Sequence, residues 1–149
     1  DCDEVILKQY YHIGVTVNTP AGLLVPAIRD VDQKTLQDLA MELPAIAKKA
    51  HDRKLTLEDV SGTTFTISNL GGLGGAGFTP IISSPEVANL GVSRATTEGI
   101  FQNGQIEPRT MLPLSLSYDH RLIDGADAAR FMRWVTVTLE SPWKLILES

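Results

Sequence analysis

The chain predicts an α/β (α+β) sandwich, with helices packed on a mixed and largely antiparallel sheet. Two observations carry this. Short runs rich in β-branched and aromatic residues recur along the 149 residues, separated by glycine- and proline-containing turns. Two longer stretches, 31–55 and 125–141, instead place apolar residues at helical spacing. Composition agrees with one globular domain over 1–149, at 43% hydrophobic and 21% charged residues. A net charge of −5 argues against a nucleic-acid surface, and no apolar run reaches the length of a membrane span. The opening "DCDEVILKQYY" is acidic and has no signal-peptide pattern. Cys2 is the only cysteine, which excludes a disulfide or a cysteine-rich metal site within one chain.

Taken in order, "VILKQYYHIGVTVNT" (5–19) reads as strand, with room for a break. The turn at Pro20-Ala21-Gly22 leads into "GLLVPAI" (22–28), so a hairpin is expected. Pro26 lacks the N–H of a ladder and belongs at an edge or an irregular position. The helix over 31–55 carries Leu36, Leu39, Ala40, Leu43, Ile46, Ala47 and Ala50 on one stripe that should be buried. Asp32 is its expected N-cap, and Lys48, Lys49, His51 and Arg53 suit its negative end. Pro44 should kink it or divide it into two helices in series.

A strand at Thr63–Ser68 is followed by a glycine-rich loop and a proline-bounded extended segment. "EVANLGVSRA" (86–95) reads as strand, with Gly91 as a bulge or a point of close approach. "EGIFQNGQIEPRT" (98–110) is a hairpin with Asn103-Gly104 at its tip. "MLPLSLSYD" (111–119) is a strand. The helix over 125–141 should bury Ala128, Ala129, Met132, Val135 and Leu139. The tail "PWKLILES" (142–149) crowds Trp143, Leu145, Ile146 and Leu147 together, and should fold back on its own domain or dock on another subunit.

"GLGGAG" (72–77) matches the spacing of a dinucleotide-binding loop and follows a strand. The helix that should open at its last glycine cannot form through "FTPIISSP", so it is read as a tight turn or a close backbone approach. Ser68 and Asn69, just before it, are then the polar residues of interest. Of the three histidines, His12 and His51 read as structural. His120 ends an apolar strand, and Asp124-Gly125 follows, a setting in which rigid scaffolds present chemistry. Two such residues do not make a metal site. No G-x-S-x-G elbow exists to supply an activated serine. A Ser-His-Asp hydrolase stays conceivable, but a histidine without an activated serine points toward a base acting on the substrate itself.

"LPLSLSYDHRLIDGADAARF" resembles the active-site signature of the dihydrolipoamide acyltransferases, the E2 components of 2-oxo acid dehydrogenase complexes. Its core, His120-x-x-x-Asp124-Gly125, is shared with chloramphenicol acetyltransferase and more loosely with peptide-synthetase condensation domains. "GLLVPAIRDVDQKTL", "KLTLEDVSGTTFTISNLGG" and "FTPIISSPEVANLGVSRA" are similar to E2 segments in the E2 order, so the resemblance covers nearly the whole chain. "TISNLG" and "SYDHRLIDGA" look most like the acetyltransferases of pyruvate dehydrogenase; an E2 for succinyl or branched-chain acyl groups, or a non-catalytic scaffold fragment, are the alternatives.

The resemblance implies a chloramphenicol-acetyltransferase-like fold lacking the N-terminal part of the family domain. That part includes an arginine that usually pairs with the residue at Asp124. It also implies acyl transfer between coenzyme A and a dihydrolipoamide carried on a separate lipoyl domain, with no covalent acyl-enzyme. His120 would be the base, Ser68 would donate a hydrogen bond to the oxyanion, and Asp124 would hold the geometry. The site would form between subunits of a homotrimer, with histidine from one and serine from the next. Trimers would join into cubic or icosahedral cores, with E1 and E3 bound through domains absent from these residues. The setting would be the bacterial cytoplasm or the mitochondrial matrix.

Overall fold

A computed structural model describes residues 4–72, 74–102 and 104–143. Its centre is a five-stranded mixed sheet in the order β4-β1-β5-β6-β9. The strands are β1 (Ile13–Val15), β4 (Ala27–Ile28), β5 (Phe65–Asn69), β6 (Ala88–Val92) and β9 (Leu114–Tyr118). β1, β5 and β6 run parallel, while β4 and β9 lie antiparallel at the two edges. Two hairpins complete the strands: β2 (Val17–Thr19) with β3 (Gly22–Leu24), and β7 (Thr96–Gln102) with β8 (Gln105–Met111). The helices are α1 (Leu36–His51) and α2 (Gly125–Glu140).

The two faces of the sheet differ because side chains alternate along a strand. In register, Phe65, Ile67, Ala88, Leu90, Leu114, Leu116 and Tyr118 share one parity, and Thr66, Ser68, Asn89, Gly91, Ser115 and Ser117 share the other. The apolar face packs on α2, where the Phe65 and Phe131 rings meet edge to face at 5.9 Å. The second face is built of small polar residues, and the chain segment after the glycine-rich loop crosses it. Thr66 and Pro26 are fully buried, and Ser68 and Asn89 are also buried.

Several expectations are met. Pro26 lies in the irregular link before the edge strand β4, and its carbonyl accepts from the Val15 N–H at 3.0 Å. The hairpin over 98–110 is present; Gly104 has φ +82, as its turn requires, while Asn103 lies outside the described residues. Gly91 is a point of close approach: a Cβ there would stand 2.5 Å from Ser115 Oγ and 3.0 Å from Phe78 Cζ. No helix follows the glycine-rich loop.

Others are corrected. Residues 5–12 are not strand, although their composition favours it. β propensity is expressed only where a neighbouring strand pairs, and among the described residues the ladders of β1 with β4 and β5 begin at Ile13. The first helix begins at Leu36, not near Asp32. Thr35 is its N-cap, in a reciprocal capping box with Asp38, while Val31–Gln33 forms a separate 3-10 turn. Of the two alternatives at Pro44, two helices in series is excluded: one helix runs through it. Its apolar stripe is buried only in part: Leu36 is 84% exposed and Ala40 and Leu43 are exposed, Leu39, Ile46 and Ala47 are half-buried, and Ala50 is fully covered. A 16-residue helix is about 24 Å long, and the strands it packs on, β2 and β4, are too short to cover it. α2 likewise buries Ala128 but leaves Leu139 exposed. Cys2 and residues 144–149, with most of the apolar tail, lie outside the described residues; Trp143 is exposed.

Candidate active site

His120 stands in the turn between β9 and α2 and is exposed. The residues on either side of it build that turn. The Asp119 N–H donates to the Val87 carbonyl at 2.8 Å, tying the turn to the start of β6. The Asp119 carbonyl accepts from the N–H groups of Leu122 and Ile123, both at 3.0 Å. Its carboxylate takes the Arg121 N–H at 3.0 Å and the Arg121 guanidinium at 2.5 Å. The Arg121 side chain, foremost, and its N–H hold the Asp119 carboxyl down at about 2. The His120 ring lies 5.6 Å from that of Tyr118, tilted by 38°.

Asp124 closes the same turn as the N-cap of α2. Its Oδ1 accepts from the Asp127 N–H at 2.7 Å. That bond, chiefly, holds its carboxyl below the ordinary carboxylate range; the Ala126 N–H, Arg130 and His120 act in the same direction against partial burial. Among the described residues, no three of His, Cys, Asp and Glu gather as a metal site.

Ser68 lies on the polar face of β5, in one row with Gly91 and Ser115 across three strands. It lines a pocket of about 250 Å³ with Thr66, Leu70, Phe78, Pro80 and Asn89. That row is near the start of β9, whereas His120 lies past its end. At about 3.3 Å per residue, the two are on the order of 15 Å apart along the strand direction. One chain therefore does not bring Ser68 and His120 together. Asn69, the other polar residue singled out, caps the loop: its Oδ1 accepts from the Gly71 N–H at 2.9 Å. His12 is buried and structural, its Nδ1 accepting from the Asp30 N–H at 3.1 Å; His51 is exposed in the last turn of α1.

Sequence reasoning missed Asp119 and Arg121 as the frame of the histidine turn, and missed Phe78, Asn89 and Ser115 around the serine. The signal was there in "FTISN" and "LSLSY", where apolar and hydroxyl-bearing residues alternate and so mark one face as polar.

A mixed sheet with helices on its apolar face, a histidine turn at one end and a serine pocket toward the other defines the chloramphenicol-acetyltransferase-like architecture. The chain belongs to the 2-oxoacid dehydrogenases acyltransferase (catalytic domain) family, whose model matches residues 1–147. It is 57% identical over 129 residues to the dihydrolipoyllysine-residue acetyltransferase component of the pyruvate dehydrogenase complex of Pseudomonas aeruginosa, covering 87% of this chain and 24% of that one. The Azotobacter vinelandii counterpart is 55% identical over 129 residues, covering 87% of this chain and 20% of that one. The chain thus spans about a quarter of the length of these curated relatives.

Among solved structures, it matches the dihydrolipoamide acetyltransferase of Azotobacter vinelandii with a TM-score of 0.91 and 51% identity, over 97% of this chain and 59% of that one. That enzyme was investigated for the roles of a serine, a histidine and an asparagine in its catalytic mechanism. The cubic core of a pyruvate dehydrogenase multienzyme complex also matches with a TM-score of 0.91, at 50% identity, over 97% of this chain and 59% of that one.

Proposed function

We propose that this chain carries the acyl-transfer chemistry of a dihydrolipoamide acetyltransferase, moving an acetyl group between the thiol of dihydrolipoamide and coenzyme A. The observation that carries this is an interval. The serine, histidine and asparagine investigated in the Azotobacter enzyme are spaced 52 and 4 residues apart, and Ser68, His120 and Asp124 have the same spacing. The third position is aspartate here. Aspartate and asparagine cap helices about equally well, so the N-cap contact seen at Asp124 suits either residue.

In this mechanism the His120 imidazole takes the proton of the attacking thiol, whose ordinary pKa of about 8.5 puts it within reach of a neutral histidine. The thiolate adds to the thioester carbonyl. Charge builds on the carbonyl oxygen, and Ser68 Oγ–H donates a hydrogen bond to it. Collapse breaks the original C–S bond, and the departing sulfur takes the proton back from the imidazolium. The acyl group changes sulfur, and no bond to the enzyme forms.

Ser68 and His120 lie toward opposite ends of one sheet, so a site that uses both takes them from different chains. A trimer with shared sites meets that need, and the relative that forms a cubic core supports an oligomeric assembly.

The test is acetyl transfer from acetyl-coenzyme A to dihydrolipoamide by the complete, assembled protein. His120→Ala is expected to lower turnover by about 10²–10⁴-fold, and Ser68→Ala to lower kcat by about 10²–10³-fold with little change in KM. Near-normal turnover by assembled His120→Ala would end the mechanism. A stable acetyl adduct on the protein after incubation with acetyl-coenzyme A would replace it with a covalent one.

A further inference from the structure

Resting on the reading of Ser68 as the oxyanion donor, we infer that the strap Phe78–Ile81 is the wall that sets acyl size, with Phe78 as the residue that determines specificity and Ser115 and Asn89 as the residues that position it. The strap crosses the polar face of the sheet beside Ser68 and is pinned near both ends. Ser115 Oγ donates to the Phe78 carbonyl at 2.6 Å. Asn89 Nδ2 donates to the Ile81 carbonyl at 2.7 Å. Between the pins lies Gly91, where an added Cβ would stand 3.0 Å from Phe78 Cζ and 3.2 Å from Pro80 Cδ. The strap rests on bare backbone, and a side chain at 91 would lift it.

This accounts for two features that core packing leaves unexplained. Asn89 is an amide in the middle of the central strand β6, only 2% exposed. Buried polar groups cost stability unless they are hydrogen-bonded; its NH2 group is used on the strap, while its Oδ1 is buried with no partner among the described residues. Gly91 stands in the same strand, where glycine weakens the element and commonly marks a close approach.

Chemistry places the acyl group against this wall. The carbonyl carbon of a thioester bears an oxygen, a sulfur and the substituent to be sorted. With the oxygen about 2.8 Å from Ser68 Oγ, the first carbon of the substituent lies within about 5 Å of that hydroxyl. The pocket around Ser68 has Phe78 and Pro80 on its side, and its volume is about 250 Å³. A branched acyl group would meet the Phe78 ring, whereas an acetyl group would not. One methylene against a hydrophobic wall discriminates by about 10–200-fold.

The experiment compares kcat/KM for acetyl-, propionyl- and isobutyryl-coenzyme A, using the complete assembled protein and its Phe78→Ala, Phe78→Leu, Ser115→Ala and Ser68→Ala variants. Phe78→Ala is expected to raise the isobutyryl-to-acetyl ratio by at least about 10-fold. Ser115→Ala should raise it by less, through a loosened strap. Ser68→Ala should slow all three donors alike and leave the ratio near the wild-type value. Should Phe78→Ala fail to assemble, Phe78→Leu decides on the same ratio. Unchanged ratios in active Phe78 variants, with Ser68→Ala impaired, overturn the wall while leaving the mechanism in place. An unimpaired Ser68→Ala removes the catalytic reading of Ser68 and overturns the wall with it.

Discussion

Asp119 and Arg121 hold the turn from which His120 projects, and neither carries chemistry in the proposed reaction. Asp119 anchors that turn through its N–H, its carbonyl and its carboxylate at once. Its folded-state pKa is depressed to about 2 from an ordinary 3.8. The carboxylate–Arg121 clamp is therefore fully in place above pH 3.8 and is lost only as pH falls toward 2. Across the range in which a histidine base operates, the turn is set. Asp119→Ala should lower kcat by roughly 10–100-fold, because a misplacement of about 1 Å costs on that order. Its melting temperature in circular dichroism should stay close to wild type, since the ion pair is exposed. A variant with full kcat would show that the clamp does not position the histidine.

Helix α1 is fastened by polar contacts at both ends as well as by its partly buried stripe. Its N-terminus is closed by the Thr35–Asp38 capping box, with Asp38 N–H donating to Thr35 Oγ1 at 3.2 Å. Thr35→Ala should cost about 1 kcal/mol of unfolding free energy in urea titrations. Near its other end, Lys49 reaches Asp59, which lies beyond the helix in a 3-10 turn at Glu58–Val60. Asp59 is depressed to about 2, first by Lys49 and then by the N–H and hydroxyl of Thr56. A lowered carboxylate contributes stability above its unfolded value of 3.8 and loses it as pH falls toward 2. Asp59→Asn should therefore melt below wild type at pH 7, and the two should converge as pH approaches 2. A gap that stays constant with pH would assign the effect to packing.

For the whole molecule, the decisive fact is the distance between the serine row and the histidine turn. Complementation tests its consequence directly. Assembled Ser68→Ala and His120→Ala proteins are each expected to be nearly inactive. Dissociated, mixed in equal amounts and reassembled, they should recover roughly a quarter of wild-type activity if each site of a cyclic trimer joins two chains. Zero recovery in verified mixed assemblies would place both residues in one chain's site. The exposed apolar side chains fit such an assembly. Phe101 and Ile106 face each other across the β7–β8 hairpin, at 73% and 74% exposure. A chain that leaves such residues in water has surfaces left to cover.

Local chemistry was enough to read much of this protein from sequence. The Asn103-Gly104 hairpin, the misplacement of Pro26 for a central strand, the bare backbone needed at Gly91, and the strand–turn–helix that presents His120 all follow from conformational limits on single residues and dipeptides. The signature around His120 and Ser68 also named the family to which the chain belongs. Tertiary structure decided the rest, because those outcomes depend on which partner is within reach. Residues 5–12 have strand composition, but the ladders of β1 with its neighbours begin only at Ile13. The α1 stripe has helical spacing but strands too short to bury all of it. The separation of Ser68 from His120 follows from the register of three strands, a property of pairing and not of any one segment. The family resemblance implies a site shared between subunits; the paired sheet supplies the physical reason, because its register holds Ser68 and His120 too far apart to meet within one copy.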